Sequence, residues 1–150
     1  MYNITSMESL ESALHTQIPI SKHMGIKVTS YDGQTLVLEA PLKNNINHQQ
    51  SAFGGSLFSV AALTGWGLIQ LKLSELDIEA YTVIAGGEVS YDLPVLSQLK
   101  CECKLEENYT EFVNLLTTKG KASLILKPKI MIDHVSAMSF SGKFVVLQLQ

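Results

Sequence analysis

The groups able to do chemistry gather in and around one uncharged stretch, residues 44–71, bounded by Lys43 and Lys72. Asn47 carries an amide that donates and accepts at once, so it could hold a carbonyl or orient a water. In so Asn-rich a loop it could equally close an Asx-type turn. His48 is the neighbouring titratable group, and an ordinary imidazole pKa of about 6.5 suits proton transfer near neutrality. It could also be a solvated loop residue. Gly54 and Gly55 leave backbone N–H groups unobstructed, and at the start of a helix the positive end of the macrodipole favours an oxyanion. The alternative for this glycine pair is close packing of the helix on a sheet. Ser56 follows without the GxSxG spacing of a nucleophile elbow, so a capping or positioning hydroxyl is expected. Thr64 could face a pocket or bond the carbonyl of the preceding turn. Glu88, in a later strand, could supply a carboxylate from the sheet side. The shared parity of Glu88, Ser90 and Asp92 equally fits a solvated face.

These groups need elements to place them. Residues 56–73 are apolar on nearly every side of a 3.6-residue period, which is the mark of a buried helix. About 27 Å of such helix spans a small domain. Strand-like alternation surrounds it. Gly25–Ser30 and Gln34–Ala40 flank the turn Tyr31-Asp32-Gly33 as a hairpin. Residues 80–91, 98–106, 121–132 and 136–149 read as four further strands, with Gly86-Gly87 marking a bulge or a close backbone approach. Short amphipathic helices are expected over 7–15, broken at Ile18-Pro19-Ile20, and over 109–118, stopping at Gly120. The sum is α+β: an antiparallel sheet of about six strands wrapped around one long helix, in a single domain over 1–150. Such a sheet leaves edges, and pairing two copies edge to edge would cover them, so a homodimer or dimer of dimers is expected.

Composition narrows the partners. The chain of 150 residues is 46% apolar and 17% charged, with a net charge of -3. Its 11 Lys and Arg are scattered, which argues against a nucleic-acid partner. The uncharged stretch 52–69 is barely long enough to span a membrane and lacks a basic flank, so it is assigned to the core. No basic and apolar leader opens the sequence, and Cys101 and Cys103 sit too close on one strand face to pair, so reduced thiols in a cytoplasmic protein are expected. His15, His23 and His134 lack ligand spacing, and no metal is expected.

The order of hairpin, polar loop, Gly-Gly, apolar helix and later strands resembles the hotdog fold of acyl-CoA and acyl-carrier-protein thioesterases and dehydratases. More closely, NHQQSAFGGSLFSVAALTGWGLI with EVSYDLP resembles the small thioesterase-type domain that also occurs behind an acetyltransferase-like domain in some bacterial proteins. The phenylacetate-type thioesterases carry an Asn six residues before a His-Gly-Gly and an acid seven after the second Gly. Here Asn47 and the Gly pair match, whereas Phe53 stands at the His position and Ala62 at the acid position.

The resemblance implies an acyl thioester hydrolase. Its substrate would be an acyl-CoA or an acyl-carrier protein, with CoA or phosphopantetheine as part of the substrate and no separate cofactor. The site it implies comprises Asn47, His48 and Glu88 as catalytic groups, with Phe53, Gly54, Gly55, Ser56 and Thr64 against the substrate. Ala62 removes the usual carboxylate. That points to a second expectation, a non-catalytic acyl-binding or dimerisation module assisting acyltransferase chemistry in fatty-acid metabolism.

Overall fold

The computed structural model describes residues 3–150. Helix α1 (Met7–Gln17) starts in a capping box: Ser9 N–H donates to Ser6 Oγ, and Ser6 N–H to Ser9 Oγ. The break expected at Ile18 is present, but Pro19 opens a new helix, α2 (Pro19–Met24), because proline fits the first helical position where no N–H is needed. Gly25, with φ 76, ends it in the left-handed conformation.

The hairpin follows as β1 (Lys27–Tyr31) and β2 (Thr35–Ala40). Its turn is held by Asp32, whose carboxylate accepts from the N–H groups of Gln34 and Thr35 at 2.9 and 2.8 Å. After a single 3-10 turn at Leu42–Asn44 comes the long helix α3 (Gly54–Glu75), then β3 (Ala80–Tyr91) and β4 (Leu99–Lys104). Helix α4 (Tyr109–Lys119) precedes β5 (Lys121–Leu126), β6 (Lys129–Ile132) and β7 (Val135–Gln148).

All pairings are antiparallel, in the order β1-β2-β4-β6-β7-β3, with β5 also beside β7. The expected strand over 121–132 is two. Pro128 interrupts it, so β5 pairs residues 142–147 of β7 and β6 pairs residues 135–139. The count therefore rises from about six strands to seven within the same hotdog arrangement.

Helix α3 packs on β2, β3, β4 and β7. The closest approaches are made where it has no side chain. A Cβ on Gly65 would lie 2.5 Å from the ring of Phe144, and one on Gly67 3.0 Å from Leu36. Phe58 meets Phe140 edge-on at 5.0 Å. The helix is long and apolar enough to cross a membrane, and 61% of its most apolar window is buried in this fold. One side stays less covered: Phe58, Ala62, Trp66 and Gln70 are only half-buried. The neighbouring strand β3 is exposed along most of its length, including Tyr81, Val83 and Ile84. Beyond β7 it has no partner strand among the described residues.

Candidate active site at the start of the central helix

The loop before α3 is built on two asparagines. Asn45 is buried, and its amide nitrogen donates to the carbonyls of Met24 and Pro41 at 2.9 and 2.8 Å. Its own carbonyl accepts from Phe53 N–H at 2.7 Å. Asn47 closes the next turn: Oδ1 accepts from Gln49 and Ser51 N–H, and Nδ2 donates to Ser51 Oγ at 2.9 Å. Ala52 N–H then donates to Val95 O at 2.8 Å, fixing the loop to the segment after β3. Asn47 thus takes the Asx-turn role, and its amide is committed to holding the loop rather than a substrate. His48 sits exposed at the tip of the same turn.

Helix α3 begins immediately afterwards with no side-chain cap. Ser56 and Leu57 N–H groups both donate to Phe53 O, at 2.9 and 3.0 Å. Those of Gly54 and Gly55 have no acceptor among the described residues. The expectation that Ser56 caps the helix is therefore corrected: its backbone, not its hydroxyl, closes the first turn. Phe53 is 57% exposed, and its ring lies over Gly55 so closely that a Cβ there would be 2.4 Å from it.

Thr64 is fully buried and donates to Val60 O at 2.6 Å, the second of its two expected roles. It is removed from the site and lies instead beside Cys101 on β4. Cys101 and Cys103 are both free and buried on the inner face of β4.

Of the two places expected for Glu88, the structure gives the solvated face and not the carboxylate facing the helix, and the reason is a bulge. Thr82 faces α3 and accepts from Gln70 Nε2 at 3.0 Å. Strict alternation would bring Glu88 to that same inner face. The pairing of β3 with β7 slips by one residue between Ile84 and Gly86, so Val89 turns inward and Glu88 outward. Gly87 makes this possible. It has φ 152, and a Cβ there would meet Ser141 O at 2.4 Å. The same slip brings in Tyr91, which the sequence reading did not single out. Its hydroxyl donates to Gly54 O at 3.1 Å. A cavity of about 290 Å³ opens here, lined by Ala52, Gly54, Leu57, Tyr91 and the run from Asp92 to Val95, so the Asp92 carboxylate borders it.

The family model described as "Putative thioesterase (yiiD_Cterm)" matches residues 7–148. The chain belongs to this family. Several solved structures share its fold. A protein of unknown function from Chlorobaculum tepidum is 33% identical, with a TM-score of 0.89 over 95% of this chain and 94% of that one. A protein titled "putative thioesterase" from Shewanella oneidensis is 28% identical, with a TM-score of 0.86 over 94% and 96%. A "probable thioesterase" from Pseudomonas aeruginosa, 16% identical, superposes with a TM-score of 0.83 over 99% and 100%, a likeness of fold. The exposed Gly54-Gly55 turn is thus the start of the central helix of a thioesterase-type hotdog domain.

Proposed function

We propose that this protein hydrolyses acyl thioesters of CoA or of a carrier protein, binding the carbonyl oxygen at the start of α3. The observation that carries the reading is the pair of unpartnered N–H groups at Gly54 and Gly55, on the positive end of a 22-residue helix. A thioester carbonyl oxygen accepting from them gains most as it becomes an oxyanion. Water adds its oxygen to the acyl carbon, the C–S bond breaks, and the products are a carboxylic acid and a thiol. His48, on the loop that leads into the site, is proposed to take the water's proton and return it to the departing sulfur. CoA or phosphopantetheine enters only as the leaving group, and the reaction needs no further cofactor. Phe53 would form one wall for the bound thioester, beside the cavity lined by Leu57, Tyr91, Asp92 and Val95.

The test is release of thiol from a series of acyl-CoAs of increasing chain length. Turnover above the uncatalysed background is expected, together with a loss of about 100-fold in His48→Ala. Gly55→Ala should abolish most activity while the fold survives, because the Cβ displaces only the outer end of the exposed Phe53 ring. No turnover with any chain length or with acyl-carrier protein would sink the hydrolytic reading.

One observation favours a second reading. Ala62 is half-buried at the position where related enzymes carry an acid, and Glu88 points away from α3. A non-catalytic acyl-binding module in fatty-acid metabolism, assisting acyltransferase chemistry, would then bind acyl-CoA with micromolar affinity and release no thiol.

A homodimer fits either reading. The free edge of β3 offers a 12-residue strand with exposed Tyr81, Val83 and Ile84 next to the half-covered side of α3. Sedimentation should give twice the chain mass, and a monomer at micromolar concentration would refute it. Two unpaired cysteines are in keeping with a reducing cytoplasm.

A further inference from the structure

We propose that Tyr91 is a positioning residue for the oxyanion-binding peptide, acting through the carbonyl of Gly54. The inference rests on the hydrolytic reading and concerns the same site. The carbonyl of Gly54 and the N–H of Gly55 belong to one peptide group. Tyr91 donates its phenolic hydrogen to that carbonyl at 3.1 Å, from a strand on the far side of the site. Within the helix, the same carbonyl is also the natural acceptor for Phe58 N–H four residues on.

Two donors on one carbonyl draw electron density toward its oxygen and leave the N–H at the other end of the amide more acidic. Hydrogen bonds in a chain strengthen one another in this way, by roughly 10–30% per bond. The N–H so strengthened, that of Gly55, is one of the two at the start of α3 with no acceptor among the described residues. The sequence of bonds would run from Tyr91 through the Gly54–Gly55 peptide to the substrate's developing oxyanion.

Geometry supports a fixed rather than incidental contact. The ring of Tyr91 stands 3.7 Å from where a Cβ of Gly54 would be, so ring and glycine pack directly. The strand that carries it is locked against β7 by Gly87, whose backbone sits too close to Ser141 for any side chain. Its end is fixed as well: the N–H groups of Asp92 and Leu93 both donate to Ala137 O, at 2.8 and 3.0 Å. Tyr91 is thereby held at the bond by the residues on both sides of it.

Tyr91→Phe keeps the ring and removes only the hydroxyl. Its kcat is expected to fall about five-fold, with KM within two-fold of the parent and an unchanged melting temperature. The amide proton of Gly55 should move upfield in the 15N-correlated spectrum of the free protein, while amides elsewhere along β3 stay in place. A purely structural residue would alter stability and leave the Gly55 amide where it was. An unchanged Gly55 amide together with an unchanged kcat overturns the proposal. Should the parent protein release no thiol at all, hydrolysis is refuted, and binding of an acyl-CoA ketone analogue decides this inference. Binding weakened about five-fold in Tyr91→Phe supports it, and equal binding overturns it.

Discussion

Asn47 shows how a residue in the place of a catalytic group can serve architecture. Every polar atom of its amide is engaged within the turn it closes, two N–H groups on Oδ1 and the Ser51 hydroxyl on Nδ2. Asn47→Ala should therefore destabilise the protein by about 1–3 kcal/mol, seen as a lowered denaturant midpoint, because those N–H groups lose their acceptor. Asn47→Asp keeps the acceptor and should lie closer to the parent. A catalytic amide would give the opposite pattern, with stability preserved and rate lost. Of the residues read from the sequence, Gly54 and Gly55 open the helix as expected, because the uncharged apolar run begins directly after them. Asn47 and Thr64 could not be assigned from their types alone. Both can bond a substrate or their own backbone, and local backbone acceptors and donors lie nearer than any ligand.

At the scale of the element, α3 was legible because a run without charge and apolar on all sides has no stable place outside a core. Strand β3 was less so. Alternation counts residues, and a single bulged position reverses its meaning from there to the strand's end. Gly86-Gly87 was visible as the place for such a bulge, but not its direction, which is set by pairing with β7. Glu88 was therefore left open between two faces, and Tyr91 was missed. Gly87→Ala tests this account. A Cβ would press on Ser141 O in a backbone conformation that only glycine readily adopts, and a loss of about 3 kcal/mol is expected by chemical denaturation. Gly86→Ala, with open space around it, should cost less than about 1 kcal/mol. Equal losses would refute the close approach as the cause.

Across the whole molecule, the buried thiols give a property that can be measured without knowing the substrate. Burial pushes the Cys101 thiol up to about 12, the neighbouring Thr64 hydroxyl only partly offsetting it, and Cys103 is raised by burial as well. A folded chain therefore keeps these protons while an unfolded one sheds them from about pH 8.5 upward. Because the native pKa values are the higher ones, the stabilisation is complete below about pH 8.5 and declines as pH rises toward 12. The denaturant midpoint should fall between pH 8 and pH 10.5, and less steeply in a Cys101→Ala, Cys103→Ala double variant. Equal slopes would remove the thiols as the cause. Neither thiol should react with a disulfide reagent in the native protein, so thiol released from substrate can be read against a low background.

The two ends of α3 are held very differently. Near its last turn, Lys72 donates to Gly33 O and pairs with Glu75 at 2.8 Å, while Glu75 accepts from Tyr31. At its first turn nothing caps it, and the nearest large side chains, Phe53 and Tyr91, are more than half exposed. The anchoring and the proposed chemistry thus fall at opposite tips of one rod. Exchanges at 53, 62 or 91 can alter what the front does while the rear clamp and the glycine contacts at 65 and 67 keep the scaffold intact. Such a molecule tolerates exchange at its front with little strain on the fold.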